Sequence, residues 1–182
     1  MSVADQRTQL PAGVLAASAV SAAALAFAVH PLGGEAVIAG FVAAVLVVIA
    51  AVDLRTLTIP NRIVLPATAI VLVGDLVVVP GRAPEFLLAA LVGGGVLLLP
   101  NLISSSLMGM GDVKLGLLLG AALGWGVLGA LMIAFLALFP FAVGALIRGG
   151  RQAKTAALPF GPFMAFGALV VLVAPRLLGL SG

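Results

Sequence analysis

Two acidic residues stand where apolar sequence gives way to polar sequence, and each sits in a pattern suited to chemistry. Asp53 closes a long apolar run and is followed by Leu54-Arg55-Thr56-Leu57-Thr58-Ile59-Pro60-Asn61. Asp112 opens another run, inside Gly109-Met110-Gly111-Asp112-Val113-Lys114-Leu115. Each alone reads equally well as a helix-end residue: Asp53 solvated or paired with Arg55, Asp112 an N-capping residue after a glycine turn. Together they carry more weight. Ionisable side chains at membrane depth are costly and concentrate where function needs them. Two carboxylates brought close cannot both ionise easily, so one keeps a proton. One can then act as base toward a water and the other as acid toward a scissile carbonyl, the division of labour of an aspartic peptidase. A third pattern, Leu158-Pro159-Phe160-Gly161-Pro162-Phe163, places two prolines and a glycine at the start of an apolar run. It is expected to unwind the first helical turn and leave backbone groups for an extended peptide. A proline-started helix is the plainer alternative.

The solvent for these residues follows from composition. The chain has 182 residues, 63% hydrophobic and 8% charged, with a mean hydropathy of +1.34. Soluble domains are about 25% charged, and these residues cannot make the polar skin a soluble fold of this size requires. A soluble enzyme and a disordered chain are excluded. A net charge of +3 leaves no basic patch for nucleic acid. Cysteine and tyrosine are absent and His30 is the single histidine. Disulfides, thiol nucleophiles, iron–sulfur clusters and Cys-ligated zinc are thereby excluded, and no metal or other cofactor is expected. Acid–base work falls to the carboxylates.

The elements that must position them are membrane helices. Charge-free runs cover 8–34, 36–52, 63–74, 86–111, 115–147 and 155–175, against the roughly 20 apolar residues that a span needs. Run 115–147 is long for one span and tight for two, and Gly124-Trp125-Gly126 inside it suits a short interfacial turn. Charge decides the count. With seven spans and a cytoplasmic N-terminus, Arg7, Arg55, Arg62, Lys114, Arg148, Arg151 and Lys154 lie inside and only Arg82 and Arg176 outside. With six spans the bias nearly vanishes, so the positive-inside rule favours seven. An all-α polytopic bundle is expected, with helices near 10–29, 34–53, 62–79, 86–105, 111–123, 126–147 and 159–178. It forms a single membrane domain over 1–182, with a six-helix core over 34–178 and an extra first span in 1–33. Ala26-Phe27-Ala28 looks like a signal-peptidase site, but the apolar stretch is longer than a usual signal core and Arg7 is a thin basic start, so an uncleaved first span is expected. Asp53, Asp112 and the 158–163 pattern then share the cytoplasmic face. Asn61 is expected to cap the third span, Lys114 to anchor at the headgroups, and Asp75 to snorkel to the outer interface. Glu35, Glu85 and His30 fall in outer loops. Gly116 and Gly120 have GxxxG spacing, a weak signal in so glycine-rich a chain.

With these residues in view, the chain resembles the type IV prepilin peptidases, members of the GxGD class of membrane aspartic peptidases that includes archaeal preflagellin peptidases and, more distantly, presenilins. Three motifs in order carry the resemblance over about residues 36–170: Asp53 with Ile59-Pro60-Asn61, then Gly109-x-Gly111-Asp112-Val113-Lys114-Leu115, then Leu158-Pro159-Phe160-Gly161-Pro162-Phe163. The resemblance implies an endopeptidase that removes a short basic leader from prepilin-like precursors at the cytoplasmic face of the cell membrane, usually after a glycine. It implies Asp53 and Asp112 as the catalytic pair. Gly109, Gly111, Pro60, Asn61, Pro159, Phe160, Gly161 and Pro162 would shape the site. Large members also methylate the new N-terminus, using an N-terminal region that often holds paired Cys-x-x-Cys motifs. This chain has no cysteine, so a peptidase-only short form is expected, similar to those serving tight-adherence pili. Two rivals come from other classes: a proton-coupled transporter using the same two aspartates, and a non-catalytic membrane assembly subunit. No inverted repeat of the kind many transporters show is visible. Finally, alanine at Gly111 should favour the helix by about 0.5–1 kcal/mol yet impair cleavage, because the new Cβ would meet a substrate lying on the turn.

Overall fold

Lipid offers the backbone no hydrogen-bonding partners, so an apolar chain of this kind must satisfy its amides within helices. In the computed structural model, which describes residues 12–29, 33–103, 108–149 and 159–177, seven helices do so. They are α1 (Ala12–Val29), α2 (Gly34–Thr56), α3 (Asn61–Val78), α4 (Ala83–Ile103), α5 (Met110–Leu123), α6 (Gly126–Gly149) and α7 (Gly161–Leu177), with a 3-10 turn at Pro80–Arg82 leading into α4. No strand occurs among the described residues. Four segments are long and apolar enough to cross a membrane: Gly34–Thr56, Asn61–Val78, Pro80–Ile103 and Gly126–Gly144. The expected all-α membrane architecture is present. The long run 115–147 is split at Gly124, whose φ of 55° lies in the left-handed region that favours glycine.

Successive helices alternate in direction. The end of α2, the starts of α3, α5 and α7, and the end of α4 therefore gather at one end of the bundle. α5 is central, packing on α2, α3, α4, α6 and α7, with Leu115, Leu118 and Leu119 fully buried. It is also short. Its 14 residues reach about 21 Å at 1.5 Å per residue, against a hydrocarbon core of about 30 Å. Its seam with α4 relies on small residues: a Cβ on Gly116 would lie 2.6 Å from the Gly93 carbonyl oxygen, and one on Gly120 would strike the Ala89–Ala90 backbone. The Gly116/Gly120 spacing thus marks a true interhelical contact.

Three features differ from expectation. α2 continues past Asp53 to Thr56, because the Thr56 hydroxyl donates to the Val52 carbonyl at 2.9 Å and carries the last turn across polar sequence. α3 is capped by Pro60, and Asn61 makes no capping bond. Asp75 does not snorkel; it is 5% exposed and faces inward on the same side of α3 as Val64, Ala67 and Val71. The basic loop expected between Arg148 and Lys154 lies mostly outside the described residues, as do Arg7, His30 and Leu158.

Candidate active site

Asp53 sits in the last turn of α2. Its carbonyl accepts the Leu57 N–H at 2.8 Å, and Leu57 takes a left-handed conformation, φ 51°, that turns the chain out of the helix. Thr56 and Thr58 exchange hydroxyl-to-carbonyl bonds at 3.2 Å across this turn. The chain then runs through buried Ile59 to Pro60, whose carbonyl receives the N–H groups of Ile63 and Val64 and starts α3. The loop is thus a compact bracket between two helices.

The Asp53 side chain is 4% exposed, and burying a carboxylate requires partners. One is the Gly161 N–H, which donates to Oδ2 at 2.9 Å. Gly161 is the first residue of α7, so the carboxylate lies against the positive end of that helix. The third motif explains the fit. Pro159 approaches without helical structure and Phe160 receives the N–H groups of Phe163 and Met164. Pro162 occupies the first turn, where its missing N–H leaves no bond unmade. Phe160 is buried with its ring 5.0 Å from that of Phe135, and Phe163 stands 5.3 Å from Phe141, so α6 holds the start of α7 in place. A Cβ at Gly161 would lie 2.7 Å from Asp53 Oδ2. The motif begins its helix in the ordinary proline-started way and presents an amide to the carboxylate.

Asp112 is the third residue of α5, half-buried. Its Oδ2 accepts the Gly109 N–H at 3.3 Å, while the Gly109 carbonyl accepts the N–H groups of Asp112 and Val113. The carboxylate therefore reaches back over the helix start as in a capping box. It also lies within electrostatic reach of Asp53.

Gly111 and Lys114 take places other than those expected from the sequence. A Cβ on Gly111 would lie 2.9 Å from the Ile59 Cβ; the close approach there is by the α2–α3 loop. Lys114 donates from Nζ to Asn61 Oδ1 at 2.8 Å, so it bridges the starts of α5 and α3. Asn101, in α4, donates through Nδ2 to the Met108 carbonyl and ties the end of α4 to the approach to α5. Its signal was available as a lone amide at the end of an apolar run. Asp75 lies in the other half of the bundle, within electrostatic reach of Arg82 and Glu35, and its Oδ2 has no hydrogen-bond partner. Arg82 pairs with Glu85 at 3.2 Å and stands over the Phe86 ring. Among the described residues no group of three His, Cys, Asp or Glu side chains is placed to hold a metal.

Comparison with known proteins gives one result. The model of the type IV leader peptidase family matches residues 40–148, a stretch that runs from α2 through α6 and includes both aspartates. No curated protein and no solved structure matches the chain.

Proposed function

The chain belongs to the type IV leader peptidase family, and on that premise we propose that it is an aspartic endopeptidase in which Asp53 and Asp112 share the acid–base work. The observation that carries this reading is the convergence of two carboxylates from separate helices at one end of the bundle, within electrostatic reach of one another. One carboxylate takes a proton from a water, whose oxygen attacks the scissile carbonyl. The protonated partner gives its proton to the carbonyl oxygen. As the tetrahedral intermediate collapses, the first aspartate passes its proton to the leaving amine nitrogen and the second recovers one from the diol. The Gly161 amide holds Asp53 in place throughout.

The substrates are of the prepilin type. We assign to this chain the removal of a short basic leader at the cytoplasmic face of the cell membrane; the expected excess of Lys and Arg on the Asp-bearing side supports this orientation. Peptide cleavage without methyl transfer fits a sequence that lacks cysteine. The comparisons give a transporter no support.

Purified protein in detergent, incubated with a prepilin-like precursor, should yield a shortened product. Asp53→Asn and Asp112→Asn should each abolish it while remaining membrane-inserted, and Asp75→Asn should cleave at close to the wild-type rate. Wild-type turnover in either of the first two would remove the pair from the mechanism.

A further inference from the structure

The Asp53-to-Asn61 loop faces the start of α5 at three places. Asp112 lies within electrostatic reach of Asp53, Gly111 backs onto Ile59, and Lys114 bonds to Asn61. The first is a meeting of two acids, which repel when both are charged. The second is a bare van der Waals contact with no directional preference. The third is a directional polar bond between the two segments, and it is charge-assisted, the stronger kind of hydrogen bond. Positions 112 and 114 are about 200° apart around a helix, so the loop is gripped on one side by the contact at Asn61 while the other side faces the reacting pair.

Resting on the proposed function, we propose that Lys114 is a positioning residue: its bond to Asn61 seats the Asp53 loop on α5 and thereby sets the spacing of the two carboxylates. Lys114 touches neither aspartate's hydrogen-bonding atoms and takes no part in proton transfer. Loss of its ammonium leaves the loop free to shift against Gly111, and displacement of reacting groups by about 1 Å can cost on the order of a hundredfold in rate.

The test is a cycle of variants in the full chain, assayed on a prepilin-like precursor. Lys114→Met keeps the stem and removes the donor; Asn61→Ala removes the acceptor. Each should lower kcat by about tenfold to a hundredfold and leave KM within about twofold. The double variant should be no worse than either single one, since both break the same bond. Asn61→Asp, which gives Lys114 a carboxylate acceptor, should cleave faster than Asn61→Ala, and this difference should vanish when each is combined with Lys114→Met. Thermal unfolding in detergent identifies any variant that fails to fold, in which case Lys114→Gln replaces Lys114→Met. A rise in KM with kcat unchanged, multiplied losses in the double variant, or normal cleavage by Asn61→Ala would each overturn the assignment. Failure of the broader reading looks different: the Asp→Asn variants would then cleave, whatever happens at Lys114.

Discussion

At the scale of single residues, the site depends on two places where a methyl group does not fit. Gly161 leaves room for the Asp53 carboxylate and Gly111 leaves room for Ile59. Gly161→Ala should push the carboxylate off the α7 amide and lower cleavage by about a hundredfold. Gly111→Ala should lose activity too, and the earlier expectation of a stability gain is replaced by a loss of about 1–3 kcal/mol, the usual effect of overpacking a tight contact. Cleavage rates and melting temperatures in detergent check both. The sequence made the two aspartates and their common end legible, because charge and span parity are one-dimensional properties. It could not make the Gly161 amide or the Lys114 bond legible. Lys114, expected at the headgroups, instead bonds to a residue 53 positions away, a pairing that no local pattern marks. Asp75, expected to snorkel to the outer interface, instead lies on the buried face of α3, which position along the span does not reveal.

Among the described helices, α4 and α5 share the most extensive contact. Hydrophobicity gave both helices their place, since a charge-free run in lipid has little alternative to helix. Their mutual approach depends on Gly93, Gly116 and Gly120, whose backbones meet. In lipid such contact replaces the hydrophobic effect as the source of association. Gly120→Leu should therefore separate the helices and lower the melting temperature sharply, while Gly95→Leu, on the same pair but with open space around its Cβ position, should be tolerated. Similar melting temperatures for the two would show that the seam does not hold the bundle. Helix ends were the least legible part. α2 runs three residues beyond Asp53 on side-chain bonds such as that from Thr56 to Val52, which an apolarity pattern does not record.

At the scale of the whole molecule, the alternation of helices sets a labelling pattern. Thr58 and Gly81 lie at opposite ends of the bundle, and the native chain has no cysteine. A cysteine at Gly81 should react with an impermeant thiol reagent in intact cells, and one at Thr58 only after the cells are opened. The reverse result would turn the site to the outside. The length of α5 reaches further. A helix of about 21 Å that begins at Met110 and ends beside the Trp125 turn cannot match an unperturbed bilayer. Because α5 is enclosed by its neighbours, either water descends between them to Asp112 or the leaflet around the whole bundle thins, and the surrounding leaflet then becomes part of the enzyme's working geometry. Membrane thickness should then act as a control variable. In vesicles of defined acyl-chain length, turnover should peak in the thinner bilayers and decline as chains lengthen, with the protein still folded. The lipid composition of a cell, as much as the supply of precursor, would set the rate at which this enzyme works.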